Sequence, residues 1–319
     1  MSIFSKLVSP RLPSTAIGLS GEGCGLVQLE RRRDSFAVRR AGYVPLAEGV
    51  LAPGFEDQNI LDAGELTQAL AELAASTGLQ KRRRWSVALP EAATRTAIVT
   101  MESAAASRHE AEEMLRWKIE RAMGTPADQL RAARESLQPD AQGRARYLIS
   151  AIRLDVLDEY EAVFAGLGWH AGLILPRHLG EAWWLARDRS ATDSLLVSSH
   201  PGGFTAVVMR GGHPLYVRAV SCDAEDCADE LYRFLLFYRD RTAPADEGGA
   251  LPSSPETIGR LLVAGGGLGE EEASAVVAET LGAEPRAVRA EDVRLSFPSD
   301  GLDFGQIAAP AGLAALALA

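Results

Sequence analysis

Two stretches of this chain of 319 residues run through the same order of elements, and that duplication constrains its fold more than any other feature. In the first, Thr15 to Leu19 reads as a strand, Gly21 to Gly25 as a glycine-rich turn and Leu26 to Glu30 as a second strand. Ser35 to Val44 follows as a third strand. Asp62 to Thr77 then reads as a helix, with a capping pair at Asp62 and Glu65, and apolar Leu66, Ala69, Leu70 and Leu73 at helical spacing. Gly78 stands where a left-handed cap ends it, and Trp85 to Leu89 is a strand. The second stretch repeats this: strand Leu195 to Ser199, turn His200 to Gly203, strand Phe204 to Met209, a Gly211-Gly212 turn, and strand Pro214 to Val220. A helix from Ala224 to Asp240 has Ala228, Leu231, Leu235 and Tyr238 on one stripe, and Arg260 to Ala264 is the closing strand.

Between the two lies a strand–helix–strand–helix piece: Thr94 to Met101, Arg108 to Met123, Tyr147 to Ile152 and Asp155 to Leu167. The expected division is a first lobe of residues 14–93 and 168–192, an inserted α+β subdomain of residues 94–167, and a second lobe of residues 193–319. Thr242 to Pro255, rich in Pro and Gly, is expected as a surface loop. This length suits two lobes better than one core.

Composition narrows the function classes. The formal net charge of −10 argues against nucleic acid and anionic lipid as partners of the whole molecule. Three cysteines argue against a disulfide framework and for a reducing compartment. No window approaches the ~20 apolar residues of a membrane span; the apolar run Ala308 to Ala319 is short and interrupted by Pro310 and Gly312. A cytoplasmic chain is expected, reaching a membrane only through a partner.

Several motifs then carry a family resemblance: Ala16-Ile17-Gly18-Leu19 with Leu26-Val27-Gln28-Leu29, Ile60-Leu61-Asp62 before the first helix, and Val87-Ala88-Leu89-Pro90. Glu112 with Leu115-Arg116-Trp117-Lys118 and Glu120, then Gly124-Thr125-Pro126, continue the series. Gly166-Leu167-Gly168-Trp169, the hairpin Gly212 to Ala219, the helix Glu230 to Leu235 with Tyr238-Arg239, and Gly265-Gly266-Gly267 after a strand complete it. In order and spacing these resemble the PilM family of type IV pilus assembly and, more distantly, FtsA and the cytoplasmic part of GspL. The resemblance implies an α/β, actin-like fold of the Hsp70/actin ribonuclease H-like kind, two-lobed, with a small insertion in the first lobe. It also implies a nucleotide between the lobes, gripped by the two hairpin turns.

The sequence departs from the family where that chemistry would lie. ATP-binding members carry an Asp-x-Gly turn with hydroxyl residues and then a Lys. Here the turn is Ser20-Gly21-Glu22-Gly23-Cys24-Gly25, with Ser20 in place of the Asp and no Lys, and the matching acid of the second half is replaced in Ser198-Ser199-His200. Both carboxylates for a Mg²⁺ hydration shell are absent. The residues left as a degenerate nucleotide site are Gly18, Ser20, Gly21, Gly23, Gly265, Gly266 and Gly267. A flexible hairpin or a strand-to-helix turn explains these glycines as well. No catalytic residue, metal site or required cofactor is expected, and ATP hydrolysis is not.

Other features have plain explanations. Cys227 reads as a small buried residue, with Asp223, Glu225 and Asp226 opening its helix, and His200 and His213 fall in turns expected to be exposed. Lys81-Arg82-Arg83-Arg84 reads as a solvated lead into a strand, with contact to anionic lipid as the alternative. Trp117 projects off the apolar stripe of Ala111, Met114, Leu115, Ile119 and Ala122, as an interface aromatic would, or else packs under a loop. Of Trp183 and Trp184, one belongs to the core.

By resemblance, the leading expectation is a scaffold of an inner-membrane platform that binds the cytoplasmic N-terminal peptide of a PilN-like membrane protein. That peptide lies between first lobe and insertion, with Arg83, Arg84, Met114 and Trp117 nominated as contacts. Self-association into a dimer or ring fits the same picture. The alternatives are an ATP-binding or hydrolysing enzyme with an atypical phosphate site built from Glu22, Ser20 and Ser198, and a GspL-like component of type II secretion.

Overall fold

Alternation along the first strand decides how the first lobe is layered. In a computed structural model that describes residues 12–102, 107–187, 192–242, 257–296 and 301–319, β1 (Thr15–Ser20) is buried on both faces. Ile17 and Leu19 point to one core with Leu66, Leu70 and Tyr160, whereas Ala16 points to a second core with Ile307 and Ala311. A strand covered on both sides needs no polar face, which is why its sequence is apolar or small throughout.

β1, β2 (Gly23–Arg32) and β3 (Ser35–Pro45) form an antiparallel meander. Helix α1 (Ala63–Ser76) starts where the Asp62 side chain accepts from the Glu65 amide at 2.9 Å. β4 (Arg84–Leu89) returns parallel to β1. In the second half, β9 (Asp193–His200), β10 (Gly203–Arg210) and β11 (His213–Ser221) repeat the meander, and β12 (Ile258–Gly265) returns parallel to β9. Helices α5 (Cys227–Thr242) and α6 (Glu270–Leu281) cover this sheet.

The strand orders make the duplication explicit. β8 (His170–Pro176) continues the first sheet, whose order is β14-β3-β2-β1-β4-β8, and β13 (Arg286–Ala287) continues the second, whose order is β11-β10-β9-β12-β13. Apart from β14 (Leu295–Ser296), which pairs with β3, the two sheets have the same topology.

A third sheet is made of β5 (Arg95–Thr100), β7 (Arg146–Arg153) and β6 (Leu130–Leu137) in the order β5-β7-β6, all antiparallel, with α2 (Arg108–Met123) on it. The sequence reading lacks β6, because LRAARESL has no apolar alternation and its middle residues are exposed. Helix α3 (Leu154–Gly166), placed in the insertion by chain order, lies in the first-lobe core: Val156, Leu157, Tyr160 and Phe164 pack with α1. The glycine turn is also shorter than expected, since β2 already begins at Gly23.

Two helices join the lobes. α4 (Arg177–Ala186) and α7 (Phe304–Leu316) cross between the sheets, in one core with Ala16 and Val27 of the first and Leu196, Val207 and Leu262 of the second. Their backbones touch. A methyl group added at Gly312 would collide with the Gly180 carbonyl, and one at Gly180 with the Ala309 carbonyl. Trp184 Nε1 donates to Ala308 O at 2.8 Å beside this contact, and Pro310 lies within the helix, its ring over Gly18. The C-terminal apolar run is thus a buried helix that passes through both Pro310 and Gly312. Among the described residues no helix is long and apolar enough to cross a membrane. Of the loop expected over Thr242 to Pro255, Thr242 ends α5 and the rest lies outside the described residues.

Gly312→Ala is expected to destabilise the fold by about 3 kcal/mol, because backbone on both sides must move. Gly166→Ala, at the end of α3 with nothing within 4 Å of the new methyl, should be neutral or stabilising by up to about 1 kcal/mol. Urea denaturation of the two variants checks the pair.

Candidate functional site

The duplicated hairpins face each other across the cleft between the lobes. On the first-lobe side the Ser20 hydroxyl is consumed by its own turn: it accepts from the Gly23 amide at 3.1 Å and donates to Gly23 O at 3.1 Å. Gly23 lies under the Tyr43 hydroxyl, and Gly21 has room around it, with Pro53 Cδ 3.6 Å from the point a methyl group there would occupy. Across the cleft, Gly265 and Gly267 lie against Ser199, whose hydroxyl accepts from the Leu268 amide at 2.8 Å. The Glu22 side chain reaches over so closely that any Cβ at Gly266 would strike its carboxylate. The two turns that carry the nominated residues touch through Glu22 and Gly266; Gly18 is covered by Pro310 instead.

Below this contact sits a buried polar cluster that sequence reasoning missed, save for Ser198. Glu91, in the short 3-10 turn after β4, accepts from the His178 amide at 2.6 Å through Oε1, and its Oε2 lies 2.6 Å from His178 Nδ1. It thereby caps the first turn of α4. Ser198 of β9 donates to Glu91 Oε1 at 3.1 Å, so one carboxylate ties together the first lobe, the connecting helix and the second lobe. Glu181, one turn along α4, accepts from Arg177 at 3.2 Å. The only signals for this in sequence were Glu91 just after a strand and the Arg177-His178…Glu181 spacing at the start of a helix.

Environment splits the two acids. Burial alone would raise the Glu91 pKa, but the His178 ring, its hydrogen bonds and Arg177 outweigh burial and hold it below the usual carboxylate range. At Glu181 burial dominates, aided by the Glu91 charge, and lifts the pKa despite Arg177. His200, expected to be exposed, is half-buried at the end of β9, and burial lowers its pKa. Cys227 is buried as expected.

These residues do not fit a magnesium triphosphate. The first turn offers an acid and no cation, the Ser198 hydroxyl is bound to Glu91, and Glu22 fills the approach to Gly266. Among the described residues no group of three or more His, Cys, Asp or Glu is arranged to hold a metal ion.

An open groove lies elsewhere. β8 is the last strand of the first sheet and β6 the last of the insertion sheet, so each has one unpaired edge among the described strands. Between them is a cavity of about 420 Å³ lined by Arg131, Ala133, Leu157, Glu161, Gly172 and Ile174, among others. A second cavity of about 330 Å³ shares Ala133, Ser150 and Leu175 with it and runs on to Leu179, Trp183, Met209 and Val217. None of the four nominated contacts lines either cavity. Arg84 comes nearest, its Nη2 3.6 Å from a methyl position on Gly172. Arg83 donates to Leu167 O at 3.3 Å, Met114 packs into the insertion core, and Trp117 stands 55% exposed off its helix stripe.

Glu91→Ala should cost about 3 kcal/mol at pH 7, since it strips partners from the His178 amide, the ring and Ser198 at once. A depressed carboxyl pKa stabilises the fold above the ordinary range and loses that contribution as pH falls through the folded value. The gap between wild type and variant should therefore shrink below about pH 4. Glu181 has the opposite sign, its contribution fading as pH rises through its raised pKa. Denaturant titrations at pH 3.5 and pH 7, on the order of the window set by these shifts, read both.

No protein-family model matches the chain, and no curated protein matches it. Among solved structures, a chain of the PilM-PilN type IV pilus biogenesis complex superposes with a TM-score of 0.75 at 18% identity, over 97% of this chain and 100% of that one. The cytoplasmic domain of EpsL, an inner membrane component of the type II secretion system of Vibrio cholerae, matches over 95% of this chain and 93% of its own with a TM-score of 0.46 and 14% identity. A Bacteroides thetaiotaomicron protein of unknown function with an actin-like ATPase fold matches over 97% and 98% with a TM-score of 0.46 and 11% identity. The chain has the two-lobed actin-like fold, and over nearly its whole length it is folded like the matched chain of the PilM-PilN complex.

Proposed function

We propose that this chain is an actin-like adaptor of a type IV pilus or related secretion platform, which holds the N-terminal segment of a PilN-like membrane protein in the groove between β8 and β6. The observation that carries this is the pair of unpaired strand edges beside two adjoining cavities that share Ala133, Ser150 and Leu175. Such edges are aggregation hazards unless covered, and an extended peptide covers them by adding a strand. Backbone hydrogen bonds supply affinity, while side chains alternate between the polar end near Arg131 and Glu161 and the apolar end near Leu179, Trp183 and Met209. The occupied groove would keep the adaptor on the cytoplasmic side, peripheral to the inner membrane.

The cleft supports a structural role for the nucleotide region. Glu91 on His178 and Ser198 ties the lobes together, and Glu22 lies against Gly266 where a triphosphate would otherwise lie. We read the chain as a scaffold without ATP turnover.

Removing the N-terminal segment of the partner should abolish co-purification. Ala133→Trp, at an exposed residue shared by both cavities, should weaken binding of that segment by about tenfold or more while changing stability by less than about 0.5 kcal/mol. Unchanged affinity in the variant, or phosphate release from Mg-ATP well above background, would count against the proposal.

A further inference from the structure

A second charged site stands at the far edge of the first sheet, where the β2–β3 hairpin meets the end of α4 and the start of β14. A cavity of about 280 Å³ there is lined by Arg31, Arg32, Arg33, Arg187 and Arg294, with Asp34 as its one acidic side chain. In a chain with a formal net charge of −10, five arginines around one cavity call for an explanation. Arg32 is paired, 3.3 Å from Glu30. No acidic side chain among the described residues lies within ion-pair distance of Arg31, Arg33, Arg187 or Arg294.

Two of these side chains are held in place. The Arg187 guanidinium lies 4.7 Å from the centre of the Phe36 ring and 5.1 Å from that of Trp183. That packing holds the group over the aromatic faces and leaves its edge to meet a ligand. Arg31 donates to Leu318 O at 2.7 Å and to Ala319 O at 3.2 Å. Arg294 is the one non-glycine residue with positive φ among those described, at 57°, and its carbonyl accepts from the Phe36 amide at 3.0 Å. Burial first, and then repulsion from Arg294 and Arg31, lowers the Arg187 pKa, the sign expected of like charges brought together; Ala319, whose oxygen Arg31 contacts, also lines the cavity.

We propose that this pocket binds a phosphate-bearing anion through Arg31, Arg187 and Arg294. Planar guanidinium forks match phosphate oxygens in pairs, and an anion relieves the mutual repulsion that the fold imposes. The same chemistry is offered by a soluble phosphate compound and by the headgroup of an anionic lipid. The site adjoins the peptide groove at Trp183, which lines both, but its arginines lie outside that groove.

The test is calorimetric titration of the full chain with inorganic pyrophosphate, together with co-sedimentation on phosphatidylglycerol and phosphatidylcholine vesicles. Wild type is compared with Arg187→Gln/Arg294→Gln, with Arg294→Gln alone, and with Arg82→Gln/Arg83→Gln at the other basic run. Circular dichroism checks folding, and the exposed Arg294→Gln carries the test should the double variant not fold. Pyrophosphate binding that weakens with salt and falls about tenfold in the double variant, with Arg82→Gln/Arg83→Gln unaffected, supports the site with a soluble ligand. Selective loss of phosphatidylglycerol binding in the same variants supports it with lipid as the source. The proposal is overturned by absence of both activities, by equal binding in the variants, or by equal loss at Arg82 and Arg83.

Discussion

The contact between Gly180 of α4 and Gly312 of α7 is the constraint on which the rest of the molecule depends. Two duplicated sheets each bury one face on their own helices, and the other face must be covered by something thin enough to serve both. α4 and α7 fill that role only because their backbones approach without side chains between them. The Trp184 indole bonded to Ala308 O, and Pro310 over Gly18, fix the rotation of α7 on β1. Once the crossing is set, the N-terminus of α4 points at Glu91 and Ser198, and the hairpin turns are brought face to face.

This arrangement separates the two concavities of the fold by their chemistry. The interlobe cleft is closed by polar groups whose removal from water is repaid only while every partner is present. Glu91 satisfies the His178 amide and ring and the Ser198 hydroxyl, whereas Glu181 Oε2 and His178 Nε2 have no hydrogen-bond partner among the described residues. The groove between first lobe and insertion is bounded instead by strand edges, whose amides and carbonyls are ready to pair with another chain.

Much of the fold was legible in the sequence, because the duplicated meanders and the helices at Asp62, Arg108 and Cys227 carry strong local signals. What was hidden depends on tertiary placement. β6 is almost wholly exposed and its apolar residues do not alternate, so the sequence gives no sign of it. α7 contains Pro310 and Gly312, which argue against a helix locally and are required by its neighbours. The two glycine turns are readable as turns and strand ends, and they touch through Glu22 and Gly266; the acids and His178 beneath them lie far apart in the chain. Of the nominated partner contacts, only Arg84 came near the groove, because its walls are formed by β6 and β8, neither of which has a local signal strong enough to place it.

Hydrogen–deuterium exchange on the full chain, with and without the N-terminal peptide of a PilN-like partner, tests the central claim most directly. Peptide should slow exchange along β8 at Gly172 to Leu175 and along β6 at Arg131 to Ala133, and leave Gly265 to Gly267 unchanged. Protection confined to the cleft glycines, with β6 and β8 exchanging as before, would contradict it.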